Sequence, residues 1–93
     1  MSNVTVAARI AEACDSYAQG TLALSELPDA LSQCVAALEG ISYKDTRELE
    51  SMVDSLRIES YYAAEGCDFE RETTLLIGKL RRLVERLVSG PAA

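Results

Sequence analysis

From Phe69 onward the chain returns to an apolar or small residue at a fixed rhythm. Phe69, Thr73, Leu76, Leu80, Leu83 and Leu87 are spaced four, three, four, three and four apart. That interval puts all six on one side of an α-helix; it does not suit a strand, whose faces alternate at every second residue. Ile77 and Val84 widen the seam. A stripe this regular has to be covered, either by other helices of the same chain or by a second copy in a helical homodimer.

Three earlier segments have helical spacing of their own. In the first, Val6, Ile10, Cys14 and Tyr17 align, and Gly20 is placed to end the helix in a left-handed C′ conformation. In the second, Leu27, Leu31, Cys34 or Val35, and Leu38 share a face. Ser25 is its candidate N-cap, Pro28 is tolerated in the first turn, and Gly40-Ile41 reads as a Schellman ending. The third starts at a capping-box variant, Ser42 with Asp45, and buries Leu49, Met52, Val53, Leu56, Ser60 and Ala63 before Gly66 stops it. Asp68 caps the fourth, and Gly90-Pro91 ends it. The apolar linker Thr21-Leu22-Ala23-Leu24 is expected to pack. Gly78, in mid-helix, costs about 1 kcal/mol relative to alanine and is expected to admit a closely approaching helix.

These signals predict helices over about 4–19, 26–39, 43–65 and 69–89. With short links they form an all-α, antiparallel four-helix bundle, and 93 residues suit one domain, 1–93. The hydrophobic content of 48% is enough for a globular core and argues against disorder.

Several chemistries find no support in the residues. Histidine is absent, so there is no side chain whose ordinary pKa suits a neutral-pH general base. Neither a glycine-rich phosphate loop nor a nucleophile elbow occurs. Cys14, Cys34 and Cys67 are far apart and odd in number, which fits neither zinc nor a disulfide framework; free thiols and a cytoplasmic location are expected. No apolar run reaches the length of a membrane span or a signal peptide. The chain is therefore expected not to be an enzyme and to need no cofactor or metal.

Charge is unevenly distributed. Residues 45–72 carry nine acids against three bases, whereas residues 73–93 carry one acid against four bases. The acidic stretch repels nucleic acid and anionic lipid and attracts basic proteins. The cations Lys79, Arg81, Arg82 and Arg86 fall in the second half of a helix, where the macrodipole favours them. Within the acidic stretch stand Tyr61 and Tyr62. Adjacent helical residues point about 100° apart, so both cannot face one core stripe. Glu50, Asp54, Tyr61 and Glu65 cluster on the outer side, with Ile58 and Tyr62 beside them and Glu59 and Asp68 in the same stretch. Exposed aromatic and aliphatic anchors ringed by carboxylates suit the binding of a cationic protein.

The run Tyr61-Tyr62-Ala63-Ala64-Glu65-Gly66-Cys67-Asp68, in a small acidic helical chain, resembles the immunity proteins of colicin and pyocin nucleases. Members of that family carry a tyrosine pair on the third helix, followed by acidic residues, and silence a bacterial nuclease toxin. Ala63 stands where the family usually has proline. The resemblance implies that Tyr61 and Tyr62 are shared anchors and that specificity resides on the second helix, at Asp29, Gln33 and Glu39. Other helical immunity proteins, of colicin D and of contact-dependent inhibition systems, are similar in kind.

The expected function is therefore inhibition of a basic nuclease toxin by occlusion, through Glu50, Asp54, Ile58, Glu59, Tyr61, Tyr62, Glu65 and Asp68. No direct contact with nucleic acid or membrane is expected. Two alternatives stand beside it. One is a self-associating structural or adaptor protein that pairs through the fourth seam. The other is a phage-encoded, anti-CRISPR-like inhibitor of a nucleic-acid-binding complex.

Overall fold

Local start and stop signals place most of the helix ends. The computed structural model describes residues 2–89. Four helices follow one another, α1 (Asn3–Ala18), α2 (Leu27–Ala37), α3 (Tyr43–Ala64) and α4 (Glu70–Ser89), with no strand among the described residues. The expected stop at Gly90-Pro91 lies outside the described residues.

Two glycines act as anticipated. After α1, Gly20 takes φ +83°, and the amides of Gly20 and Thr21 donate back to the carbonyls of Tyr17 and Ser16. After α3, Gly66 takes φ +94°, and the amides of Gly66 and Cys67 donate to Ala63 and Tyr62. Both are Schellman closures, which need a left-handed residue at C′. The Ser42 hydroxyl accepts from the Asp45 amide at 3.1 Å and donates to the Asp45 carboxylate at 2.9 Å. Asp68 accepts from the Glu70 amide at 3.1 Å and opens α4. Ser2 caps α1 by accepting from Thr5.

The second helix departs from expectation at both ends. Glu26, not Ser25, occupies the N-cap, and its carboxylate accepts from the Ala23 amide instead of capping the helix. At the other end α2 stops at Ala37, and Leu38 is extended, so no Schellman turn forms at Gly40-Ile41. The linker after this end is tied to a residue far away in sequence. The Asn3 side-chain amide donates to the Glu39 carbonyl and accepts from the Glu39 amide, which holds that residue in the linker.

Around the bundle, α1 packs on α2, α2 on α3, α3 on α4 and α4 on α1, with no close backbone approach across either diagonal among the described residues. Val6, Ile10 and Cys14 meet Leu27, Leu31 and Val35, then Leu49, Val53 and Leu56, then Ile77, Leu80, Leu83 and Val84 in one core. Each fully buried leucine there contributes about 1.5–3 kcal/mol. Tyr17, Cys34, Leu38, Met52, Leu76 and Leu87 border the core half-buried, as do the linker residues Leu22 and Leu24. The fourth-helix seam thus faces this chain's own interior.

Candidate protein-binding surface on the third helix

At 100° per residue, Glu50, Asp54, Ile58, Tyr61 and Glu65 fall within about 80° of one another, opposite Leu49, Val53 and Leu56. All five are exposed; Ile58 is 57% and Tyr61 65% accessible. Helix lengths explain how apolar side chains stay open here. Arg57 of α3 bonds Asp29 in the first turn of α2, so the last turns of α3 run past the start of the shorter helix. Nothing from α2 covers Tyr61.

The tyrosines form an aromatic chain. Tyr61 and Tyr62 meet edge to face, with centroids 5.7 Å apart and planes at 83°. Tyr62 in turn lies 6.1 Å from Phe69, across the α3–α4 turn. Phe69 is half-buried, and it shares a hollow with Tyr17, Leu24, Ala63 and Thr73. Tyr62, 46% exposed, is therefore braced from behind, while Tyr61 is the outer ring. Phe69 was visible in the sequence as a seam residue; its contact with Tyr62 depends on how sharply the Gly66 turn folds back.

The carboxylates expected in the surface divide into two sets. Glu50 and Glu65 are exposed and, among the described residues, take part in no ion pair or side-chain hydrogen bond. The others have internal partners. Arg57 bridges Asp54 at 3.3 Å and Asp29 at 3.1 Å. Asp68, one residue outside the N-cap position, accepts from the first amide of α4. Glu59 departs from the rest: it is half-buried, and its Oε1 accepts from the fully buried Thr73 hydroxyl at 2.6 Å. Its angular position turns it toward α4 and away from the outer stripe. Glu59 is thus part of the bundle's interior bonding and stands apart from Glu50 and Glu65.

Of the second-helix residues, Asp29 and Gln33 are exposed one turn apart, whereas Glu39 lies beyond the end of the helix. Arg47 stands 5.8 Å over the Tyr43 ring and closes the N-terminal end of the stripe.

The remaining chemistry is sparse. Burial pushes the Cys14 thiol up to about 11, against an opposing pull from Arg81. Burial likewise raises Cys34, and it raises Tyr17 with help from Glu70 and Glu59. Cys67 is exposed. Among the described residues no three His, Cys, Asp or Glu side chains converge on a possible metal position, and no helix is long and apolar enough to cross a membrane. The groove between α1 and α4, about 350 Å³, is lined chiefly by Val4, Ala7, Ala8, Ala11 and Val88 and offers Arg81 and Glu85 at its edge. Comparisons with protein-family models, curated proteins and solved structures find no match to this chain.

Proposed function

We propose that this chain is an immunity-type inhibitor: a cytoplasmic binding protein, not a catalyst, that neutralises a basic nuclease toxin by occlusion. The observation that carries the reading is the α3 outer stripe, where Ile58 and Tyr61 stand exposed among Glu50, Asp54 and Glu65. Burying an aromatic and an aliphatic side chain supplies affinity, and unpaired carboxylates steer a cationic partner and fix its register. A nuclease holds phosphates with lysine and arginine. Those same cations can pair with Glu50 and Glu65, which places the inhibitor where nucleic acid would lie. Tyr62, braced by Phe69, adds a pre-ordered ring whose immobilisation costs little on binding.

The test is reconstitution. A tagged chain is recovered from its own cells, a bound basic nuclease is purified, and its cleavage of DNA or RNA is assayed with and without the chain. Equimolar chain is expected to abolish cleavage. Tyr61→Ala with Tyr62→Ala is expected to weaken inhibition by at least about tenfold, the scale of an interface hot spot. Undiminished cleavage beside saturating chain would rule the reading out. Full inhibition by the double variant would move the site away from α3.

A further inference from the structure

The outer stripe of α4 carries four cations, whereas that of α3 carries three acids and ends at Arg47. Arg71, Leu75, Lys79, Arg82 and Arg86 also fall within about 80° at 100° per residue. All five are exposed, Leu75 at 59%. Among the described residues none of the four cations takes part in an ion pair or side-chain hydrogen bond. The macrodipole accounts for Arg86 in the last turn. It does not account for Arg71, which sits at the opposite end, where a cation is disfavoured. Nor does it account for an exposed leucine in the middle of the row.

We propose that a second copy of this chain docks its acidic α3 stripe on this basic α4 stripe, with the two helices antiparallel. The spacings match. With Leu75 set against Ile58, Lys79 and Asp54 each lie four residues further along. Arg82 then lies seven residues along and Glu50 eight, a mismatch of about 1.5 Å. Towards the other end, Arg71 lies opposite Tyr62, with Glu65 three residues, about 4.5 Å, beyond it. Apolar thus meets apolar at the centre, with Lys79 and Arg82 beside Asp54 and Glu50, while Arg86 falls at Arg47, where the α3 stripe ends. The contact is head-to-tail: each copy keeps one stripe of the other sign free, so further copies can add. Exposed ion pairs are individually weak and screened, which makes the association weak and salt-sensitive. The proposal is independent of the toxin reading, although a basic partner on α3 would compete with it.

Sedimentation of the purified chain at high concentration tests this. In low salt the weight-average mass is expected to reach about twice the monomer value or more, and to return to the monomer in high salt. Glu50→Lys/Glu65→Lys and Lys79→Glu/Arg82→Glu alter exposed side chains, and unchanged circular dichroism would confirm that both variants fold. Each alone is expected to stay monomeric: the first then carries a net positive charge on both stripes, and in the second the two remaining arginines of the α4 stripe are offset by two glutamates. Mixed in equal amounts, they are expected to pair, because the unaltered basic α4 stripe of the first meets the unaltered acidic α3 stripe of the second. A wild-type chain that is monomeric throughout would overturn the proposal and assign the α4 stripe to a different, acidic partner. So would association that persists in both variants, or a mixture that stays monomeric.

Discussion

The hydroxyl of Thr73 has no exposure to solvent, and its hydrogen bond goes to the Glu59 carboxylate on the neighbouring helix, 2.6 Å away. Removing the acceptor strands a buried donor. Glu59→Ala is therefore expected to cost about 1–3 kcal/mol. Thr73→Val removes the donor itself and lets the half-buried carboxylate turn to water, so a smaller loss is expected. In a urea-denaturation double-mutant cycle, the double variant should fall no lower than Glu59→Ala alone. Independent, additive losses would show that the contact contributes nothing.

Which side of α4 faces inward can be tested with two leucines five residues apart. Leu80 is fully buried and Leu75 is 59% exposed. Leu80→Ala is expected to cost about 2–5 kcal/mol, and Leu75→Ala to stay within about 0.5 kcal/mol of the parent. Equal losses in thermal or urea unfolding would mean that the helix is rotated from the orientation described.

Gly78 was expected to make room for a neighbouring helix, but no helix uses that room. A Cβ built there would meet only the far end of Arg82, at 3.9 Å. Gly78→Ala is accordingly expected to stabilise the chain by about 0.5–1 kcal/mol, raising the melting temperature by a few degrees. Destabilisation would reveal a contact on that face.

Alkaline pH should weaken the fold through Cys14. Its thiol is pushed up from 9.0 to about 11 by burial, so between those values the folded chain holds a proton that the unfolded chain has released. Stability from this group is complete below about pH 9 and is lost as pH rises towards 11, by about 2–3 kcal/mol at most. Urea midpoints measured across that window should decline less steeply in Cys14→Ala than in the parent. Parallel declines would attribute the alkaline loss to other groups.

Most of the fold was legible because its determinants are local. The seam from Thr73 to Val84, the face of α1, the α3 face from Leu49 to Leu56, and the turns at Gly20 and Gly66 depend on residues within a few positions of one another; Ala63, expected on the inner face of α3, is exposed. The C-terminal end of α2 was not legible in this way. Glu39 is held by Asn3, which lies 36 residues away, and no nearby signal reveals such a bond. Within the candidate surface, periodicity placed Glu50, Ile58 and Tyr61 outward. The bracing of Tyr62 by Phe69 required knowing how α4 returns beside α3. Glu59 was grouped with the surface acids by its place in a charged run, yet its wheel angle already separated it from them.

The order of helices around the bundle is their order along the chain, and α4 comes back to α1. Val4 and Val88 line one groove between those two helices, so the first and last turns lie at the same end of the bundle. A ring of this kind does not require any one of its links to be the break. A circular permutant opened in the segment between α1 and α2, with the original ends joined by a short bridge, would keep every helix beside its two neighbours. It would also keep α3, the Gly66 turn and α4 as one uninterrupted hairpin, so the tyrosine surface would remain intact in a chain that begins elsewhere.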